Sequence, residues 1–145
     1  MLKRTSEAVW KGAGPDGRGT ITTQSGAMKD QPYSVQTRFV SEDGRAGTNP
    51  EELIAAAHAG CFAMALSFGL GNAGHPPEEL RVSADVSIEK EAVGWTVKGI
   101  HLRLEGKVPG IDRAKFEEAA EAAKKGCPIS RALASVPITL DAKLL

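Results

Sequence analysis

The stretch Thr48–Gly74, TNPEELIAAAHAGCFAMALSFGLGNAG, decides how the rest of the chain is read. It opens with a helix start. Asn49 brings a side-chain oxygen that caps free backbone N–H groups, Pro50 suits the first helical position, and Glu52 stands three residues after the cap. From Leu53 to Leu70 the only ionisable side chains are His58 and Cys61. A surface helix shows one apolar stripe; this one is apolar or small on every side, which predicts a helix buried at the centre of the protein. Cys61 is one of two cysteines in the chain, and it is either a small buried hydrophobe or a reactive thiol.

On the N-terminal side, residues 5–12 (SEAVWKGA) and 20–23 are β-prone and flank the turn GPDGRG at 14–19, so residues 5–25 read as a hairpin. Residues 31–40, QPYSVQTRFV, alternate apolar and polar, with Tyr33, Val35, Thr37 and Phe39 on one side; they predict a third strand. On the C-terminal side, HPPEEL at 75–80 cannot continue a helix. Residues 80–90 and 95–104 alternate and read as a hairpin, with a register slip near Gly99 that predicts a bulge. Asp112 caps an amphipathic helix that ends in Lys124 and Lys125 and stops at Gly126. Cys127-Pro128 then begins a short helix through about Ala134, and VPITLDAKL closes as a strand. The order βββ-α-ββ-α-α-β makes an α+β protein, expected as one domain over residues 1–145. Six short strands give little cover to an all-apolar helix, so a homodimer in which two such helices share a core is expected.

Composition sets the class. Of 145 residues, 41% are hydrophobic and 25% charged, ordinary values for a soluble globular protein. Eighteen basic residues balance eighteen acidic ones, which argues against a general nucleic-acid binder. The start MLKRTSEAVWKG lacks the apolar region of a signal peptide. Ala and Gly dominate residues 53–70 and His58 interrupts them, so no membrane span is expected. Two cysteines without a secretory signal suit a cytoplasmic protein.

Six side chains carry the chemical argument. Cys127, between a glycine stop and a proline at a first helical position, falls at a helix cap, where backbone N–H groups favour a thiolate. With Cys61 it forms a candidate redox pair, one thiol attacking and the other resolving. Arg38 carries a guanidinium that stays charged when buried and would lower the pKa of a nearby thiol; Arg18 is the weaker rival. Glu51, in the first helical turn, complements the helix dipole in any case. Ten residues of helix separate it from Cys61, about 15 Å of rise. If both serve one site, the helix bends or Glu51 comes from a second subunit, and the second arrangement is expected. His58 shares a helix face with Cys61 as a base or ligand, but a packed core histidine is the expected reading, because paired zinc-ligand spacings are absent. His75 and His101 read as structural.

The run TNPEELIAAAHAGCFAMALS, with QPYSVQTRFV upstream and ADVSIEK and KKGCPISRAL downstream, resembles the OsmC/Ohr family of organic hydroperoxide reductases, in particular its OsmC branch. The resemblance covers nearly the whole chain. It implies an OsmC-like fold: antiparallel sheets wrapped around long buried central helices in an intertwined homodimer, with sites at the subunit interface. It implies that Cys61 is the peroxidatic cysteine, Cys127 the resolving one, Arg38 the residue that polarises the thiol and Glu51 the carboxylate that holds the arginine. Arg18 corresponds to the place from which the Ohr branch draws its arginine. No metal, haem or other cofactor is implied.

The implied reaction is a thiol peroxidase cycle serving oxidative or osmotic stress defence. Cys61 reduces an organic hydroperoxide, and hydrogen peroxide less well; its sulfenic acid condenses with Cys127; a dithiol or lipoyl-bearing protein reduces the disulfide. The rival readings are a thiol redox sensor, a non-catalytic stress-response binding protein, and a zinc module built on Cys61, His58 and Cys127.

Overall fold

The computed structural model describes residues 1–145, and the chain divides into two units, Met1–Leu53 and Ile54–Leu145. In the first, strands β1 (Ser6–Lys11), β2 (Arg18–Thr23) and β3 (Gln31–Ser34) form an antiparallel sheet in sequence order. The expected hairpin is present, with the turn after β1 carrying a short 3-10 segment, Gly14–Asp16. Trp10 pairs with Gly19 across the sheet, and its ring meets that of Tyr33 at 5.2 Å between centroids. Gly19 is required here: a Cβ would stand 2.1 Å from the Val9 carbonyl oxygen.

The expected third strand is shorter than its alternation suggests. It ends at Ser34, and Gln36–Val40 form one π-helical turn. Local hydrogen bonds explain the break. Thr37 Oγ1 accepts from Ser34 N–H and shares its one hydrogen between the Ser34 and Thr48 carbonyls, while Ser34 Oγ accepts from Thr37 N–H. Such side-chain bonds offer the backbone an alternative to a strand ladder. Arg38 therefore sits on a helical turn, not on a strand.

Helix α1 (Pro50–Asn72) opens in the last residues of the first unit and continues into the second. Its start is as expected: Asn49 Oδ1 accepts from Glu52 N–H at 2.8 Å. The Glu52 carboxylate accepts from the Thr48 hydroxyl at 2.7 Å instead of reaching back to the cap. By length and composition alone α1 is also long and apolar enough to cross a membrane.

In the second unit, β4 (Glu79–Glu91) and β5 (Gly94–Lys107) pair antiparallel, with a register shift at Ser87/Ile88 that leaves Lys98 bulged next to Gly99. The strand β6 (Ile138–Leu144) joins β5 in parallel, so this sheet is mixed and not antiparallel throughout. Parallel pairing needs a crossover, and helices α2 (Arg113–Gly126) and α3 (Pro128–Ala132) supply it. Asp112 caps α2 by accepting from Lys115 N–H.

The core gathers Phe62, Leu66 and Leu70 of α1, Ile100, Leu102 and Leu104 of β5, and Phe116, Ala120 and Ala123 of α2. The expectation of a helix enclosed on all sides is corrected within one chain. Residues 58, 62, 66 and 70 form a fully buried stripe, whereas Met64 and Phe68, on the opposite face, are 64% and 69% exposed.

Candidate active site

In the first unit, the π-helical turn aims Arg38 at the start of α1. Arg38 Nη2 donates to Glu51 Oε1 at 2.7 Å, and Nε donates to Oε2 at 3.2 Å. This forked contact fixes the guanidinium plane. Glu51 is buried, Arg38 is partly exposed, and the guanidinium also stands 4.8 Å over the Phe39 ring. Arg18 lies at the start of β2, exposed, and makes no ion pair; Glu51 takes Arg38.

In the second unit, the two cysteines come together across 66 residues of sequence. Both are free thiols, Cys127 fully buried and Cys61 partly exposed at the edge of the buried stripe. They are close enough to act on each other. Cys127 is the N-cap of α3, as expected, and its Sγ accepts from Ser130 N–H at 3.3 Å. Ile129 N–H, from the same helical turn, donates to Cys61.

Burial pushes the Cys61 thiol above its ordinary pKa of 9.0; the Ile129 N–H works against that, and Cys127 adds to it. The sequence reading expects the opposite direction, with a guanidinium keeping the thiol ionised. Within this unit, burial outweighs the one N–H that favours the thiolate.

A third group was missed from sequence. Ser130 Oγ lies 3.0 Å from Cys127 Sγ and 2.7 Å from His58 Nε2. His58 and Ser130 are both buried. His58 Nδ1 is buried with no partner, and burial lowers the pKa of the ring, so it is neutral near pH 7. A hydroxyl three residues after a cap cysteine is a signal in the sequence, but nothing local ties it to a histidine 72 positions earlier. His75 and His101 take no part: His101 bonds Thr139 and Asp141 on the outer sheet surface. No cluster of His, Cys, Asp or Glu has the form of a metal site.

A sequence profile described as OsmC-like protein matches residues 41–141, a span that holds Glu51 and both thiols. The chain belongs to the OsmC-like family. Among OsmC-like relatives it is 46% identical to peroxiredoxin OsmC of Escherichia coli K12, over 99% of this chain and 97% of that protein. It is 31% identical to organic hydroperoxide resistance protein OhrB of Bacillus subtilis, over 86% of this chain and 89% of that one. The crystal structure of B. subtilis OhrB superposes with a TM-score of 0.70 at 27% identity, covering 97% and 98% of the two chains. An OsmC organic hydroperoxide resistance protein from Legionella pneumophila superposes at 0.71 with 25% identity, covering 96% of each. The OsmC resemblance read from the motifs is thus borne out, and the higher identity lies with the OsmC branch.

Proposed function

We propose that this OsmC-like chain is a thiol-dependent peroxidase that reduces organic hydroperoxides to alcohols, and hydrogen peroxide less well, in defence against oxidative or osmotic stress. One observation carries the reading. The only two cysteines meet at the N-terminus of α3, one partly exposed and the other enclosed. A partly exposed thiol poised beside a second cysteine is an arrangement that serves a two-step cycle. The names of the relatives, peroxiredoxin and organic hydroperoxide resistance protein, agree with it.

In the proposed cycle the Cys61 thiolate attacks the distal peroxide oxygen. The O–O bond breaks, Cys61 becomes a sulfenic acid, and the alkoxide takes a proton to leave as the alcohol. The Cys127 sulfur then attacks the sulfenic sulfur, forming the disulfide and releasing water. An external dithiol, either a small molecule or a lipoyl-bearing protein, restores both thiols by exchange. Arg38, oriented by Glu51, is assigned to stabilising the Cys61 thiolate. We assign this to a homodimer, in which the exposed faces of two α1 helices cover each other and Arg38 serves the thiol of the second copy. The assignment is supported by the exposed Met64 and Phe68. The cytoplasm is the proposed location, because the cycle needs a reducing compartment.

The test is peroxide consumption with dithiothreitol as reductant. The wild-type protein turns over cumene hydroperoxide many times, and Cys61→Ser does not. Equal, negligible rates for the two would reject the enzyme. A single equivalent consumed without further turnover would favour a redox sensor.

A further inference from the structure

We propose that Ser130 and His58 form a proton relay that deprotonates Cys127 from inside the core when it attacks the Cys61 sulfenic acid. The inference rests on the peroxidase reading and deepens its second step.

Cys127 has no solvent exposure, so its proton cannot pass directly to bulk water. Besides Cys61, the side chain facing its sulfur is the Ser130 hydroxyl, at 3.0 Å. A hydroxyl that takes one proton must give up another. The acceptor in place is His58 Nε2, at 2.7 Å, on a ring that is itself fully buried. The line Cys127 S–H, Ser130 O–H, His58 Nε2 is therefore complete, and it ends on α1 one turn before Cys61.

Two further observations separate a relay from a packed histidine. Most buried side-chain nitrogens have a hydrogen-bond partner, so one without calls for an explanation. Here Nδ1 has no partner, so the ring is held by Ser130 alone. A phenyl ring would fill the same space without an unsatisfied nitrogen. The second observation is that Ser130 N–H donates to Cys127 Sγ, so the sulfur has a donor waiting once it is ionised. Once the protons shift, the Ser130 hydroxyl donates to the thiolate and His58 Nε2–H donates to Ser130.

The other titratable groups at this place are Cys61 and Cys127, with Lys124, Lys125 and Arg131 bordering Ser130 from α2 and α3. Burial keeps the His58 ring neutral, which leaves it free to accept. The imidazolium does not accumulate; it exists while the S–S bond forms. In that step the Cys127 electron pair goes to the Cys61 sulfur and the S–OH bond breaks. The leaving hydroxide takes up the proton that Cys127 gave to His58, which returns the ring to neutral, and departs as water. In the reductive half of the cycle the incoming dithiol supplies the proton that Cys127 takes up as it leaves the disulfide, with Ser130 again as its hydrogen-bond partner. Ser130 touches a reacting sulfur; His58 acts through it and is a positioning residue.

The experiment uses the full-length protein, reduced and mixed with one equivalent of cumene hydroperoxide. Loss of the first thiol, dimedone capture of Cys61 sulfenic acid and disulfide formation are followed by quenched mass spectrometry. In His58→Gln and Ser130→Ala, the first thiol disappears at the wild-type rate. Disulfide formation slows by roughly 10²-fold, the low end of a general-base contribution, and the dimedone adduct accumulates. Ser130→Thr, which restores a hydroxyl, recovers the rate. Disulfide formation at the wild-type rate in both variants overturns the relay, as does a proportional slowing of both steps. Ser130→Thr as slow as Ser130→Ala also overturns it. A wild-type protein that forms no sulfenic acid at all rejects the peroxidase reading itself, and the relay falls with it.

Discussion

Arg38 and Glu51 are joined by a forked contact, Nη2 to Oε1 at 2.7 Å and Nε to Oε2 at 3.2 Å, with the carboxylate side chain only 11% exposed. The geometry fixes the guanidinium plane and leaves one edge of the partly exposed arginine free of the carboxylate. As a stabilising contact the pair is worth little, about 0–1 kcal/mol, because the arginine is open to solvent. Its value is orientation.

The first prediction follows from that. Within one chain, burial and then Cys127 hold the Cys61 thiol above 9.0, against the Ile129 N–H. In the assembled wild-type enzyme, Arg38 brings its ionisation below that value, and Arg38→Met lets it rise again. Thiol alkylation rate against pH measures the midpoint. The hydroperoxide kcat/KM of Arg38→Met falls by roughly 10²-fold, the loss expected for one charged group stabilising a reacting anion. An unchanged alkylation profile removes Arg38 from the site.

Phe68 and Met64 test the dimer. Each is a large apolar side chain more than half exposed on α1. Phe68→Glu places a charge where a second copy is proposed to pack, and burying an unpaired charge is strongly unfavourable. Sedimentation of the wild type gives twice the 15.2 kDa chain mass, and the variant gives the monomer. A wild-type monomer that retains turnover contradicts the shared-site arrangement.

Gly106 tests the packing of α2 on β5. A Cβ there would stand 2.5 and 2.6 Å from the Phe116 ring, which has no exposed surface and so no room to swing aside. Gly106→Ala lowers the unfolding free energy by about 1–3 kcal/mol, the usual cost of overpacking. Urea denaturation measures it, and the double variant with Phe116→Leu recovers part of the loss.

Stability against pH reports on His58. The unfolded ring titrates at 6.5 and the buried ring below that. Between the two values the unfolded chain binds a proton that the folded chain does not, so stability falls as pH drops below 6.5 and levels off once the folded ring is also protonated. Above 6.5 the ring is neutral in both states and contributes no slope. His58→Gln loses this part of the acid destabilisation, read as a flatter change of urea midpoint below pH 6.5. An identical slope in both proteins would mean that the ring is not excluded from water as the structure places it.

Much of the fold was legible because its signals are local. The Asn49 and Asp112 caps, the Cys127-Pro128 helix start and the slip beside Gly99 each depend on neighbours a few residues away, and each appears in the structure. The misreading at residues 35–40 has an equally local cause. An alternating pattern predicted a strand, but Ser34 and Thr37 bond to the backbone and to each other and turn the chain into a helix. Alternation marks which side chains share a face of an extended chain; it does not register a hydroxyl competing for the N–H groups.

The chain's own sequence determined the α+β class, the central helix with its thiol, the second thiol at a cap, and the OsmC-like family, all through short-range pattern and motif. Tertiary structure alone decided that Glu51 takes Arg38, that the outer face of α1 is left uncovered in a single chain, and that Ser130 bridges Cys127 to His58. Those pairings join residues distant along the chain. They exist because burial forces each polar group to find whatever partner the packed core brings within reach, and no local pattern records that choice.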